Sequence, residues 1–302
     1  MSGVRREARV GAEAKLNLFL RVHDREASGY HRLVTLFQRI ALADTVRIRT
    51  GVAKRSLACD RADLGPVERN LAWRAANAFA SVARWPDGFA IEIEKRIPVG
   101  GGLGGGSADG AAVLRALNAL APRPLDDRAL ATIALGLGAD VPYLLSELPL
   151  ALGSGRGERL LALEPLPVRT VLLLVPPFGV ASRDAFAWLA SERADAPQAT
   201  PTPIALTSPP TWAAVESCAA NDLEPAVFAR HPDLARLRGA LDHAGARIAR
   251  MSGSGSTLFG VFDTPHHGRS TLDIEWGLDL ESLGATAIDT TTVTRVSQVE
   301  VV

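Results

Sequence analysis

Six glycines stand close together in one short segment, Pro98-Val99-Gly100-Gly101-Gly102-Leu103-Gly104-Gly105-Gly106-Ser107-Ala108-Asp109. Before it, residues 89–94 alternate apolar and polar side chains, which is typical of a strand with one buried face. After it, residues 107–120 place apolar side chains at helical spacing. Glycines let the backbone wrap closely round a bulky group, and the N-terminus of a helix carries partial positive charge. The segment therefore predicts a phosphate-binding loop between a strand and a helix.

Three other interpretations of this loop are weaker. It contains the pattern G-x-G-x-x-G, but a dinucleotide-binding fold would place that pattern after the first strand of a β-α-β unit, and antiparallel-looking strands precede it here. A Walker A loop requires a lysine before the serine, where this chain has Gly106. A merely flexible turn would not need glycines placed between a strand and a helix. The loop favours a small-molecule kinase that holds the phosphates of ATP.

Further periodic segments surround the loop in the first half of the chain. Val46 and Ile48 alternate with arginines, as in a strand of an antiparallel sheet. A helix is predicted over 70–84, and Asn70 is a candidate for its N-cap. The helix after the glycine loop is expected to end before Pro122, because proline cannot continue it.

The second half of the chain also mixes strands with helices. A continuous apolar run at 171–175 predicts a central strand of a second sheet, and helical periodicity resumes at Ser182. A helix over 232–243 is expected to end at Gly245, which suits a left-handed cap. Two more strands are predicted at 247–251 and 257–262, joined by Gly253-Ser254-Gly255-Ser256.

These elements predict an α+β fold in two halves that meet near residue 160. Residues 1–160 would form an N-terminal ATP-binding domain and residues 161–302 a C-terminal domain, each an antiparallel or mixed sheet packed with helices. The stretch 194–210 is rich in Pro, Ala, Ser and Thr, so it is expected to be a loop or insertion.

Composition restricts the class of partner. The chain has 302 residues, with 33 basic and 33 acidic side chains. This balance argues against a nucleic acid or a membrane surface and favours a small-molecule substrate. Only two cysteines are present, Cys59 and Cys218, and they form neither a disulfide framework nor the spacing of a metal site. The N-terminus lacks an apolar signal region and no run is long enough to span a membrane, so a cytoplasmic protein is expected.

The glycine segment with its preceding proline resembles the phosphate loop of the GHMP kinase superfamily. Other blocks continue the resemblance in the family's order over most of the chain. Ala108 and Gly110 depart from the family pattern, and the stretch 194–210 and the residues after Phe262 match little. The matching blocks are Ala14 to Leu20, Gly29-Tyr30-His31, Leu36-Phe37-Gln38, Asp44, Asn70-Leu71, Lys95-Arg96, Leu137 to Pro142, Gly153 to Glu158, Asn221 to Glu224 and Met251 to Phe259.

The resemblance implies a two-domain GHMP-kinase-like fold and transfer of the ATP γ-phosphoryl group to a hydroxyl, with ATP and Mg²⁺ as cofactors. It makes Asp140 the general base and Lys15 its partner, which orients the acceptor hydroxyl. Without the resemblance, Asp140 could equally be a helix N-cap, because Pro142 follows it. Lys15 could be a solvated lysine at a strand edge.

The resemblance also implies which residues hold the two substrates. Tyr30 and His31 match a pair that recognises cytidine, which indicates the branch that phosphorylates the 2-hydroxyl of a cytidine diphosphate-linked methylerythritol. Phe186 matches an aromatic residue on the other face of the base, and Asn17 a further substrate contact. Without the family match, Tyr30 and His31 would be an ordinary surface loop and Phe186 a core residue.

On the ATP side, the resemblance implies that Asn70 and Lys95 contact adenine, with an N-cap role as the alternative for Asn70. The segment 253–256 matches a second glycine loop near the active site, and its alternative is a simple hairpin turn. No physical role follows from the sequence for Asn221 and Asp222. The phosphates would lie on Pro98, Gly100, Gly101, Gly102, Leu103, Gly104, Gly105, Gly106 and Ser107.

Two rival functions remain open at this point. A sister kinase for homoserine, mevalonate or a sugar would share the glycine loop but would have no use for a cytosine pocket, so the block Gly29-Tyr30-His31 discriminates against it. A relative that binds nucleotide without catalysis would be expected to lack Lys15 or Asp140, and both are present. A monomer or weak homodimer is expected.

Overall fold

The computed structural model describes residues 6–25, 31–61, 65–194, 209–263 and 279–302. These residues form two sheets packed with helices, which confirms the α+β class. No helix in these ranges is long and apolar enough to cross a bilayer.

The first sheet has seven strands and is built on a long antiparallel hairpin. Its strand order is β11-β1-β2-β4-β3. In addition, β5 pairs with a different part of β2, and β6 pairs with β5. All these pairs are antiparallel except β3 with β4. The strands are β1 (Arg6–Arg25), β2 (His31–Thr50), β3 (Ser56–Cys59), β4 (Phe89–Glu94), β5 (Leu150–Gly155), β6 (Arg159–Ala162) and β11 (Glu300–Val301).

Four helices accompany the first sheet, and the start of one of them differs from the sequence prediction. They are α1 (Leu71–Ala83), α2 (Gly105–Leu120), α3 (Asp127–Leu137) and α4 (Val141–Leu145). The helix after the glycine loop begins at Gly105 rather than Ser107, because Gly104 at φ 75° already turns the chain into it. Ser107 therefore lies inside the first turn and is not the N-cap.

Helix α1 follows its sequence signals closely. The side chain of Asn70 accepts a hydrogen bond from the Ala72 N–H at 2.9 Å, so it is the N-cap. Phe79 of this helix is fully buried, which contributes about 1.5–3 kcal/mol relative to an exposed side chain.

The second sheet explains the continuous apolar run at 171–175. Its order is β10-β7-β9-β8, so the strand that contains this run is interior, as predicted. Val171 and Leu173 pack into the core of the first sheet, while Leu172 and Leu174 pack against helices on the opposite face. Both faces are buried, so no polar alternation survives. The strands are β7 (Thr170–Val175), β8 (Ile248–Met251), β9 (Leu258–Phe262) and β10 (Thr286–Thr291).

The second half also contains α5 (Ser182–Ala194), α6 (Trp212–Cys218), α7 (Glu224–Arg230) and α8 (Pro232–His243). As expected, the chain leaves α8 through Gly245 at φ 89°. The predicted insertion at 194–210 lies mostly outside the described residues.

Backbone contacts join the two halves. Leu20 N–H donates to Ala220 O at 2.7 Å, and Asp222 N–H donates to Leu20 O at 3.0 Å. The C-terminal strand β11 returns to pair with β1 of the first sheet. The division into 1–160 and 161–302 stays a prediction.

Candidate active site

A cleft of 1210 Å³ is lined by residues of both halves. Of the residues that the sequence assigned to catalysis or to substrate binding, Tyr30 lies outside the described part of the chain. The others line the same cleft, although they are spread over the sequence. They are Lys15, Asn17, His31, Asn70, Lys95, Pro98, Gly100, Gly101, Gly102, Leu103, Gly104, Gly105, Gly106, Ser107, Asp140 and Phe186.

The glycine loop adopts a backbone path that side chains would obstruct. Gly100, Gly102 and Gly104 have φ values of 74°, 77° and 75°, in the left-handed region. A Cβ atom on Gly102 would lie 2.1 Å from the Ser252 carbonyl oxygen. Since the loop leads directly into α2, its backbone and the N–H groups of that helix can surround an anion.

Lys15 is not a solvated strand-edge lysine, because it is only 3% exposed. Its Nζ donates to Asn17 Oδ1 at 2.7 Å and to Gly102 O at 2.8 Å. The same ammonium group lies 3.6 Å from Asp140 Oδ2. The fold thus places a buried cation between the glycine loop and a carboxylate.

Asp140 occupies the N-cap position of α4, but its side chain makes no capping hydrogen bond. Pro142 lies in the first turn, where it needs no backbone donor. The Asp140 side chain is 34% exposed and lines the cleft. Its carboxylate is therefore directed to Lys15 and the cleft rather than to the helix backbone. Asp140 thus occupies a cap position without acting as a side-chain cap.

Arg39 supports the other end of α4. Its Nη2 donates to the carbonyl oxygens of Tyr143, Leu144 and Ser146 at 2.9, 2.8 and 2.7 Å. Burial lowers the pKa of Arg39, and the Glu13 carboxylate at 3.3 Å opposes that shift. A buried cation at the C-terminal carbonyls compensates them and fixes the short helix that carries Asp140.

Lys95 lies at the cleft but is held in a buried cluster with two carboxylates. Its Nζ contacts Asp44 and lies 2.7 Å from Asp109 Oδ2. Burial would lower the pKa of Lys95, but Asp109 and Asp44 outweigh it and raise the pKa. Burial, assisted by Asp44, raises the pKa of Asp109 to about 7, although Lys95 opposes it. The cluster ties α2 to the residues that precede the glycine loop, and an adenine contact of Lys95 stays a prediction.

Asn70 is both the N-cap of α1 and a residue of the cleft wall. It caps α1 through its side-chain oxygen, and it also lines the cleft beside the glycine loop. The capping alternative is therefore correct, and an additional contact to adenine stays a prediction.

His31 and Phe186 come from different halves of the chain and meet at the cleft. Their rings are stacked, with centroids 5.4 Å apart and planes inclined by 21°. At this spacing no third ring fits between them, so a base would stack on an outer face or require the two side chains to separate. The pair offers a flat aromatic surface, and its contact with cytosine stays a prediction.

The second glycine loop is more than a hairpin turn, because residues 253–255 line the cleft. It touches the first loop directly, since Ser252 Oγ donates to Gly102 O at 3.0 Å. Asn221, for which the sequence suggested no role, holds this second loop. Its Nδ2 donates to Met251 O at 2.9 Å and to Gly253 O at 2.7 Å.

Asp222 has a different role from its neighbour. Its carboxylate accepts from Arg21 at 3.1 Å, from the Val22 N–H at 2.9 Å and from Arg193 at 2.9 Å. It therefore fixes α5 and β1 together. Sequence reasoning missed these links because the partners are far apart in the chain.

Two family models match the chain. The model for the GHMP kinases N terminal domain matches residues 70–147, and the model for the GHMP kinases C terminal domain matches residues 211–273. With the fold and the glycine loop, these matches define a GHMP kinase, an enzyme class that uses ATP. A curated 4-diphosphocytidyl-2-C-methyl-D-erythritol kinase from Anaeromyxobacter dehalogenans (strain 2CP-C) is 45% identical over 257 residues, covering 83% of this chain and 79% of its own. The chain belongs to the 4-diphosphocytidyl-2-C-methyl-D-erythritol kinase family.

One solved structure agrees with this assignment, and a second shares the fold. A crystal structure of 4-(cytidine 5'-diphospho)-2C-methyl-D-erythritol kinase is 35% identical with a TM-score of 0.73, covering 94% of this chain and 98% of that one. A homoserine kinase from Cytophaga hutchinsonii has a TM-score of 0.69 at 17% identity, covering 100% of this chain and 98% of its own. The second likeness concerns the fold alone.

Replacing Asn221 by aspartate is expected to disturb the second glycine loop. The substitution keeps the shape but removes both donors, so a buried carboxylate would face two carbonyl oxygens. We expect unfolding to become easier by about 1–3 kcal/mol, and kcat/KM to fall. Thermal unfolding and steady-state kinetics would measure the two effects.

Asn118→Asp is the matched control. Asn118 also links two backbone groups, at Leu125, but it lies away from the cleft. Equal losses of kcat/KM in the two variants would show that Asn221 has no special relation to the site.

Proposed function

We propose that this kinase transfers the γ-phosphoryl group of ATP to the 2-hydroxyl of 4-diphosphocytidyl-2-C-methyl-D-erythritol, on the non-mevalonate route to isoprenoid precursors. The observation that carries the proposal is the contact of Lys15 and Asp140, 3.6 Å apart, beside the glycine loop of the cleft. Phosphoryl transfer depends on position and charge neutralisation, and this arrangement supplies both. Membership of the family supports the choice of acceptor.

In this reaction Asp140 is the general base and accepts the proton of the acceptor hydroxyl. Lys15 orients that hydroxyl and offsets the negative charge that develops on the transferred group. Because Lys15 Nζ also donates to Gly102 O, the cation is held at the edge of the phosphate loop. The loop and the start of α2 hold the ATP phosphates.

Mg²⁺ is proposed as the accompanying cation. Within the described residues, no group of three or more His, Cys, Asp or Glu side chains could hold a metal ion. Mg²⁺ does not require such a group, because it usually takes one or two protein ligands together with substrate phosphates and water. The Ser107 hydroxyl is an oxygen donor that lines the cleft and would hold it together with the ATP phosphates. The ion would neutralise charge on the phosphates.

The acceptor's cytosine is proposed to lie at Tyr30, His31 and Phe186, with Asn17 as a further contact of the acceptor. Stacking on an aromatic ring contributes about 1–3 kcal/mol per base. The aromatic surface of His31 and Phe186 favours this acceptor over mevalonate, homoserine or a sugar, because none of these carries a flat aromatic base.

Several further properties belong to the same proposal. Asn70 and Lys95, which line the cleft, would contact adenine. The two halves, 1–160 and 161–302, would act as the ATP-binding and C-terminal domains of a monomer or weak homodimer in the cytoplasm.

The reaction is tested by phosphorus NMR with ATP, Mg²⁺ and 4-diphosphocytidyl-2-C-methyl-D-erythritol. We expect a new phosphomonoester signal that grows in step with ADP, and no such signal with mevalonate or homoserine. Transfer to mevalonate or homoserine instead would show that the chain is a sister kinase with that acceptor. An absence of transfer to every acceptor, with ATP still bound, would contradict the proposed reaction.

A further inference from the structure

A line of hydrogen bonds runs from Lys15 into the interior of the first sheet. Lys15 Nζ donates to Asn17 Oδ1 at 2.7 Å, and Asn17 Nδ2 donates to Thr35 Oγ1 at 2.7 Å. Thr35 Oγ1 in turn donates to the carbonyl oxygen of Phe19 at 2.8 Å. Lys15, Asn17 and Thr35 are each at most 4% exposed. Each of these polar groups therefore depends on its protein partner rather than on bulk water.

The direction of every bond follows from the groups involved. The Phe19 carbonyl can only accept, so the Thr35 hydroxyl uses its single proton there and presents lone pairs to Asn17. Asn17 must then turn its NH₂ group to Thr35 and its oxygen to Lys15. The Lys15 ammonium group has only donors, so it needs an acceptor. The orientation of Asn17 that Thr35 imposes presents the Asn17 amide oxygen to it.

Strand geometry brings the three side chains to one face of the sheet. Lys15 and Asn17 are two residues apart on β1, so both point to the same side. Thr35 is two residues from Phe37, which pairs with Asn17 across the hairpin. A register shift between Asn17 and Phe19 accommodates the close contact. All three side chains line the cleft.

We propose that Thr35 is a positioning residue for phosphoryl transfer: through Asn17 it holds the Lys15 ammonium group between the Gly102 carbonyl and the Asp140 carboxylate. The proposal rests on the proposed function, in which Lys15 orients the acceptor hydroxyl. Thr35 acts through Lys15 and need not touch either substrate.

Thr35→Val keeps the shape of the side chain and removes the acceptor of Asn17. The Asn17 amide loses its fixed orientation, and Lys15 loses a defined partner. We expect kcat to fall roughly 10- to 100-fold, as for other small misplacements of catalytic groups, with KM for ATP little changed. Thr35→Ser restores the hydroxyl and is expected to recover most of the turnover. A valine variant with normal kcat, or a serine variant no better than valine, would overturn the proposal.

Thr50→Val is the matched control. Thr50 lies on the same strand and is 1% exposed, and its Oγ1 has no hydrogen-bond partner among the described residues. The control should retain the turnover of the unaltered enzyme. A loss as large as that of Thr35→Val would assign the effect to packing of β2 and contradict the proposal.

A double-mutant cycle with Lys15→Ala shows whether Thr35 acts through Lys15. Once Lys15 is removed, Thr35→Val should cause little further loss of kcat. If it lowers kcat by the same factor in both backgrounds, Thr35 acts independently of Lys15 and the proposal is wrong.

The position of Lys15 can also be measured without turnover. The sequence contains three lysines, Lys15, Lys54 and Lys95, so side-chain-labelled lysine gives a simple NMR spectrum. Thr35→Val should move the Lys15 signal and leave that of the exposed Lys54 in place, while Thr50→Val should move neither. An unchanged Lys15 signal would refute the positioning role. Because this readout needs no substrate, it distinguishes a wrong role for Thr35 from a wrong reaction.

Discussion

Replacing Asp140 by asparagine is expected to lower kcat by about 10²- to 10⁴-fold, which is the usual contribution of a general base. Asparagine has nearly the same shape but cannot accept the proton of the acceptor hydroxyl. It also removes the negative partner of Lys15, 3.6 Å away. Steady-state kinetics would measure the loss, and calorimetry should show ATP binding retained, because the glycine loop is unaltered.

Asp126→Asn is the matched control for this substitution. Asp126 is also an aspartate at a helix N-cap, and its side chain accepts from the Ala129 N–H at 2.8 Å. Asparagine caps a helix about as well as aspartate, so turnover and stability should be retained. Full turnover in Asp140→Asn would show that the proton leaves by another group.

Replacing Gly102 by alanine is expected to damage the ATP site severely. The added Cβ would lie 2.1 Å from Ser252 O and 3.1 Å from Gly255 O, so the two glycine loops must move apart. The left-handed conformation alone costs about 1–2 kcal/mol for a residue with a side chain. Since Gly102 O also accepts from Lys15, the displacement reaches the proposed catalytic pair of Lys15 and Asp140. We expect kcat/KM for ATP to fall by about 100-fold or more.

Gly239→Ala provides the comparison. Gly239 lies within α8, and no atom lies within 4 Å of the position of an added Cβ. Alanine favours the helix, so this variant should be slightly more stable and fully active. ATP affinity unchanged by Gly102→Ala would mean that the loop does not surround the phosphates as proposed.

Elements with strong local signals were predictable from the sequence. The helix α1 begins at the expected cap because the Asn70 side chain bonds a backbone N–H only two residues ahead. The run at 171–175 is an interior strand, as its uninterrupted apolar character indicated. The start of α2 was misplaced by two residues, because the left-handed turn at Gly104 replaces a side-chain cap and leaves no distinctive residue in the sequence.

The composition of the site was predictable in part. The glycine loop predicted a phosphate site, and family resemblance singled out Lys15 and Asp140, which the structure brings together. Nothing in the sequence indicated that Lys95 is bound between Asp44 and Asp109, or that Asn221 holds the second glycine loop. Thr35 gave no signal either, because a threonine in a strand is ordinary.

The sequence by itself determined the elements with strong local signals and the conformational freedom of the glycine loop, because those depend on residues that are neighbours along the chain. Only the tertiary structure decided which polar groups meet. The register shifts that flank Lys15 and Asn17 on β1, and the packing of α4 on Arg39, bring Lys15 to Asp140 and to Thr35. Such contacts depend on the relative placement of strands and helices distant in sequence, and a shift of one residue in register would turn each side chain to the opposite face.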